Sequence, residues 1–151
     1  VIVIGDTLSA AQFFKRYRSL DPGAFLCAPS MVNAKTLISA IGPQAARGLI
    51  ISQVAPAPES TLEISHEHRK LMNKYADEPA SPATMEGFIA AKVLVNSLQK
   101  AADSSAASLR QNLLEEGRLK LGGYELNFGK GPRASRFVEL SVINREGRLL
   151  R

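Results

Sequence analysis

The sequence predicts an α/β protein with parallel strands, and three observations carry that prediction. The continuous apolar run Val1-Ile-Val-Ile-Gly-Asp6 reads as a strand covered on both faces that turns directly into a helix. Two more apolar runs follow, at 24–28 and 48–54. Helical spacing separates each run from the next, and strand, helix, strand, helix, strand is the pattern of consecutive βαβ units.

Each element has a local reason. In 8–20, Leu8, Ala11 and Phe14 or Lys15 fall on successive helical turns; Thr7 or Ser9 can cap the start, and Asp21-Pro-Gly23 stops the helix. The second strand, 24–28, leads into the loop Pro29-Ser-Met31. Asn33 then caps a helix to about Ile41, which Gly42-Pro43 is expected to break. The third strand ends at Ala55-Pro-Ala-Pro58, a connector stiffened by prolines. Beyond it the pattern is helical at 60–75, with Thr61 and Glu63 in a polar first turn, then at 83–102 and 106–116. In the longest of these, Ile89, Val93 or Leu94 and Leu98 keep one face apolar. Two alternating strands, 124–128 and 137–143, are joined by a glycine-rich bend, and Arg145-Glu-Gly147 makes the last turn. The expected division is a 1–55 α/β segment, a helical 56–131 segment, and 132–151 returning to the first. A finished buried strand at the very start reads as part of a larger parent.

The chain has 151 residues, 45% of them apolar, and a net charge of +5. No stretch approaches the roughly 20 apolar residues of a membrane span. The positive charge sits at the two ends. Residues 1–55 and 132–151 each carry five basic and two acidic residues, whereas 56–131 carries nine and ten. Those bases are scattered and scarcely interleaved with aromatics, which argues against nucleic acid as a partner. Cys27, the single cysteine, supports neither a disulfide framework nor a metal cluster and is expected as a small buried residue on a strand. His66-Glu-His68 does not have metal-site spacing: residues two apart on a helix diverge by about 200°. A solvated helical face is expected there. The sequence contains no Gly-x-Gly-x-x-Gly, P-loop or Gly-x-Ser-x-Gly motif, so neither a cofactor nor a catalytic centre is expected.

The words Ala45-Ala-Arg-Gly-Leu-Ile-Ile-Ser-Gln-Val-Ala-Pro56, Met85-Glu-Gly-Phe-Ile-Ala-Ala-Lys-Val-Leu94 and Ser135-Arg-Phe-Val-Glu-Leu-Ser-Val-Ile-Asn-Arg-Glu-Gly147, in this order, resemble the later part of a type 1 periplasmic binding protein. The branch is the branched-chain amino-acid (Leu/Ile/Val-binding) group of ABC-transporter solute receptors. The resemblance covers the whole chain but only the C-terminal portion of a family member. It implies part of a two-lobed fold with parallel Rossmann-like sheets, in which 1–55 and 132–151 belong to the C-terminal lobe and 56–131 to the N-terminal lobe. It also implies a periplasmic location, a small-molecule solute as ligand and a membrane permease as partner.

On that resemblance the candidate ligand-binding residues are Asp6, Thr7, Ser30, Met31 and Ala83. Asp6 and Thr7 lie where the first strand meets its helix, the place where open α/β sheets bind ligands; helix capping is the competing explanation. Ser30 stands where branched-chain receptors commonly carry an acid for the ligand ammonium. Its hydroxyl hydrogen-bonds without neutralising, so either Asp6 supplies the charge or the solute is not a standard amino acid. Ala83 falls near an aromatic wall of the family and leaves room for a bulkier solute; an ordinary helix start, with Ser81 as cap and Glu86 as its capping-box partner, also fits. The reading is a fragment of an extracytoplasmic receptor for an amino acid or related small carboxylate, and not an enzyme. The alternatives are a ligand-sensing regulatory domain on the same fold and, third, an α/β enzyme. A fragment with uncovered sheet is also expected to self-associate.

Overall fold

The computed structural model describes residues 1–75, 77–130 and 134–151. The chain folds as two units, Val1–Gln53 with Val138–Arg151, and Val54–Phe137.

In unit 1, residues 1–4 lie beside β1 (Cys27–Ala28), joined by a parallel bridge between Ile2 and Cys27. β2 (Ile50–Gln53) pairs parallel with β1. The return strand β5 (Glu139–Ile143) runs antiparallel to β2, and β6 (Leu149–Leu150) antiparallel to β5. The sheet is therefore mixed, with a parallel half closed by a hairpin.

Two crossover helices cover one of its faces. α1 (Thr7–Leu20) starts at Asp6, whose Oδ1 accepts from the backbone N–H of Leu8 and Ser9, both at 3.0 Å. α2 (Ala34–Ala46) starts at Asn33, whose side chain accepts from Thr36 N at 2.9 Å. Ala10, Ala11 and Phe14 of α1 and Leu37 of α2 pack on Leu26, Ala28, Ile51 and Ile143 to form the core. Gly42-Pro43 does not end α2. Gly42, at φ +80°, turns the backbone, and the helix resumes on the far side to Ala46. Proline is tolerated there because it begins the resumed turn, where its missing N–H has no partner to lose.

In unit 2 the connector leads to α3 (Glu63–Tyr75), then α4 (Pro82–Lys100) and α5 (Ala106–Glu116). A strand absent from the sequence reading follows. β3 (Arg118–Leu121) pairs antiparallel with β4 (Tyr124–Asn127) through Gly122-Gly123. Both glycines have positive φ, as a two-residue hairpin requires. The strands at 124–127 and 139–143 thus belong to different sheets and do not form one hairpin. Leu119, Leu121, Tyr124 and Leu126 bury against Ile64, Met85 and Ile89. Glu86 is not the capping-box partner, because the box joins the cap to the third helical residue, and that residue is Thr84.

Candidate functional site

In unit 1 the carboxyl ends of residues 1–4, β1 and β2 all point the same way, since these segments are parallel. The loops that follow gather there. Thr7 ties two of them together, because its Oγ1 accepts from Asn33 N at 3.0 Å. Thr7 begins α1 and Asn33 caps α2, so one hydroxyl fixes the spacing between two helix N-termini. Pro29 O accepts from Val32 N at 3.0 Å and closes the turn that carries Ser30 and Met31. Asp6 and Met31 are exposed, Thr7 and Ser30 half-buried. Unit 1 therefore brings Asp6, Thr7, Ser30 and Met31 to one end of its sheet.

Asp6 combines capping with charge. The Ser9 hydroxyl, followed by the Ser9 and Leu8 backbone N–H groups, holds its carboxyl below the ordinary value of 3.8. It is ionised at neutral pH and able to meet a cationic or hydroxyl group. Helix N-termini also favour anions, so this end of the sheet suits a ligand bearing both signs.

Gln53 ends β2 on the same side of the sheet. It is 3% exposed, and its Oε1 has no hydrogen-bond partner among the described residues. The sequence signal was only a polar residue at a strand's carboxyl end.

Ala83 is exposed in the first turn of α4. That turn is held by reciprocal bonds: Thr84 N donates to Ser81 Oγ at 3.2 Å, and Ser81 N donates to Thr84 Oγ1 at 2.8 Å. His68 joins them, its Nε2 lying 3.1 Å from Thr84 Oγ1. Because the Thr84 hydroxyl donates to Ser81 O at 2.9 Å, it accepts from His68, which assigns the Nε2–H tautomer. His68 is 1% exposed and its ring lies 5.4 Å from that of Phe88 at a tilt of 38°, so the expected solvated His66-Glu-His68 face is only half right: His66 faces water and His68 is core. α3 buries Ile64 and Ser65 along with His68, and a buried stripe with two polar members carries no hydrophobic periodicity in the sequence. Among the described residues no group of three His, Cys, Asp or Glu is arranged to hold a metal.

Two concavities lie elsewhere. One, of about 470 Å³, sits at the opposite end of the unit 1 sheet and includes Arg18, Gln44 and Arg47. Arg18 has a structural role there, donating to Pro22 O, Ala24 O and Arg47 O. The other, of about 370 Å³ in unit 2, is lined by Val54, Ile89, Val93, Tyr124 and Leu126.

A family model described as periplasmic binding protein matches residues 1–134. Among solved structures, the chain is similar to an extracellular ligand-binding receptor from Verminephrobacter eiseniae, with 27% identity and a TM-score of 0.86 over 100% of this chain and 44% of that one. It is similar to a substrate-binding periplasmic protein from Ralstonia solanacearum, with 27% identity and a TM-score of 0.84 over 99% and 44%. A possible leucine/isoleucine/valine-binding protein from Rhodopirellula baltica matches at 25% identity and a TM-score of 0.84, over 99% and 42%. The chain thus spans less than half the length of these relatives. A search of curated proteins finds no match. No helix among the described residues is long and apolar enough to cross a membrane. With a mixed α/β sheet, two capped crossover helices and a family match over most of its length, the chain belongs to the periplasmic binding protein family.

Proposed function

We propose that the chain is the C-terminal portion of an extracytoplasmic solute-binding receptor of an ABC transporter, and that the receptor captures an amino acid or related small carboxylate without catalysing a reaction. The observation that carries this reading is the Thr7–Asn33 bond. It sets Asp6, Thr7, Ser30 and Met31 together at the carboxyl ends of parallel strands, where α/β sheets bind ligands.

In this reading the ionised Asp6 meets the solute's ammonium, and the Ser30 hydroxyl hydrogen-bonds the same head group. Met31 supplies apolar contact, and the small side chain of Ala83 is a further candidate contact. The two units are then parts of the two lobes, residues 1–53 and 138–151 belonging to one and 54–137 to the other. Solute settles at this end of the unit 1 sheet in the longer receptor. The solute-bound form is what a membrane permease recognises.

The test is a thermal-shift panel of amino acids, aromatic acids and dicarboxylates on the longer receptor. A solute at about 100 times its dissociation constant adds roughly 2.7 kcal/mol and raises the melting temperature visibly. A shift with one solute class supports the reading. A flat response to every class removes it and leaves ligand sensing of another kind.

A further inference from the structure

β2 alternates its side chains between the two faces of the unit 1 sheet. Its buried members are Ile51 and Gln53, 1% and 3% exposed, so Gln53 shares with Ile51 the face that α1 and α2 cover. Ile51 fills its place with an apolar side chain. Gln53 instead buries a carboxamide whose Oε1 has no hydrogen-bond partner among the described residues. A buried acceptor gives up its bonds to water, and without a replacement it destabilises the folded chain. A group of that kind persists where something other than the fold uses it.

Neighbours on the same face do not supply the missing bond. Register places Glu139 of β5 directly opposite Gln53, and Arg151 Nε lies 3.3 Å from the Glu139 carboxylate. An ionised carboxylate only accepts, so it cannot serve Oε1. Ser141, opposite Ile51 and diagonal to Gln53, has a hydroxyl able to donate. Its Oγ is also buried and without a partner, so two polar groups lie on one face of adjacent strands and are not bonded to each other.

Gln53 is the last residue of β2, which runs parallel to β1 and to the bridged segment 1–4. Its carboxyl end is therefore the end of the sheet that gathers Asp6, Thr7, Ser30 and Met31. With strands about 4.8 Å apart, Gln53 is one step from the strand leading to Ser30 and two steps from the segment leading to Asp6. Two steps are roughly 10 Å, a distance that an amino-acid-sized solute and the two side chains span together. We propose that Gln53 is a specificity-determining residue of this site, its Oε1 accepting a hydrogen bond from an N–H or O–H group of the solute. This inference rests on reading the chain as part of a solute receptor. It narrows the solute from any small carboxylate to one that also carries a donor, an amino or hydroxy acid. A site with a buried acceptor rejects the analogue that lacks the donor, because the acceptor stays unpaired in that complex.

Gln53→Met in the longer receptor tests this, since Met keeps the length of the side chain and lacks the amide. The probes are pairs that differ by one donor: leucine and isocaproate, phenylalanine and hydrocinnamate, malate and succinate. In the parent, the donor-bearing member of the pair that binds should be favoured by roughly a hundredfold or more. Gln53→Met should weaken that member by roughly tenfold or more and leave its analogue within about threefold. Without solute, the variant should melt at or above the parent's temperature, because a buried unpaired group has been removed. A lower melting temperature would overturn the inference and make the amide a structural group served by Ser141. Equal effects of the variant on both members of a pair would overturn it too. A parent that binds solute and a variant that binds it equally well refute this inference alone. A parent that answers no solute refutes the functional reading, and the inference falls with it.

Discussion

Asp6 carries two roles on one carboxylate, and the roles can be separated. Asp6→Asn keeps an oxygen acceptor for the Leu8 and Ser9 N–H groups and removes the charge, whereas Asp6→Ala removes both. Thermal melts should show Asn close to the parent and Ala clearly lower, and solute affinity should fall with both, by roughly tenfold or more for a lost charge-assisted contact. Stability also responds to His68. Burial first, then the nearby Arg69 cation, lowers its pKa below 6.5, with Glu59 opposing. A group with a depressed folded pKa binds its proton more readily when unfolded. Stability from neutral His68 is therefore full above pH 6.5 and is lost as pH falls through the folded pKa. Protonation would also place a second N–H on Nδ1, which has no partner among the described residues. Melting temperatures measured from pH 8 to pH 5 should hold and then decline, and His68→Gln should flatten that decline.

At the scale of elements, the β3–β4 hairpin is set by two glycines. A Cβ on Gly122, at φ +49°, would sit 2.6 Å from the backbone nitrogen of Ile64, which donates to Gly122 O. Gly122→Ala should destabilise by about 2–3 kcal/mol, combining left-handed strain with that collision, as urea titration would measure. Ser81→Ala should cost about 1 kcal/mol through loss of the α4 cap, measured the same way. Most helices were legible from periodicity and caps: Asn33, Ser81 and the 106–116 run all lie where the residues indicated. What the sequence hid was pairing. Arg118-Leu-Lys-Leu121 is a short alternation directly after a helix, and its only strong signal was Gly122-Gly123. The partner of β5 is β2, far away in the chain, and no local pattern specifies such a contact. Cys27 was expected buried, but it is half-exposed, because an apolar strand does not say whether both faces are covered. The site end of unit 1 was partly legible, since strand-to-helix loops are visible in sequence. The Thr7–Asn33 bond that joins two of them, and the buried Gln53, required coordinates.

The chain spans 44% of its relatives from Verminephrobacter and Ralstonia, and as a whole it is proposed to be one part of a binding device. Sheet, helices and caps of unit 1 fix one end where charge and hydrogen-bond donors converge. We propose that Asp6, at this end, holds the cationic group of a small zwitterionic solute. The decisive measurement is calorimetric titration of the longer receptor, parent against Asp6→Asn, with the solute class that raises its melting temperature. A single-site isotherm is expected in the parent and affinity weaker by roughly tenfold or more in the variant, with both proteins equally folded. Equal affinity in parent and variant would contradict it and place the solute's head group elsewhere.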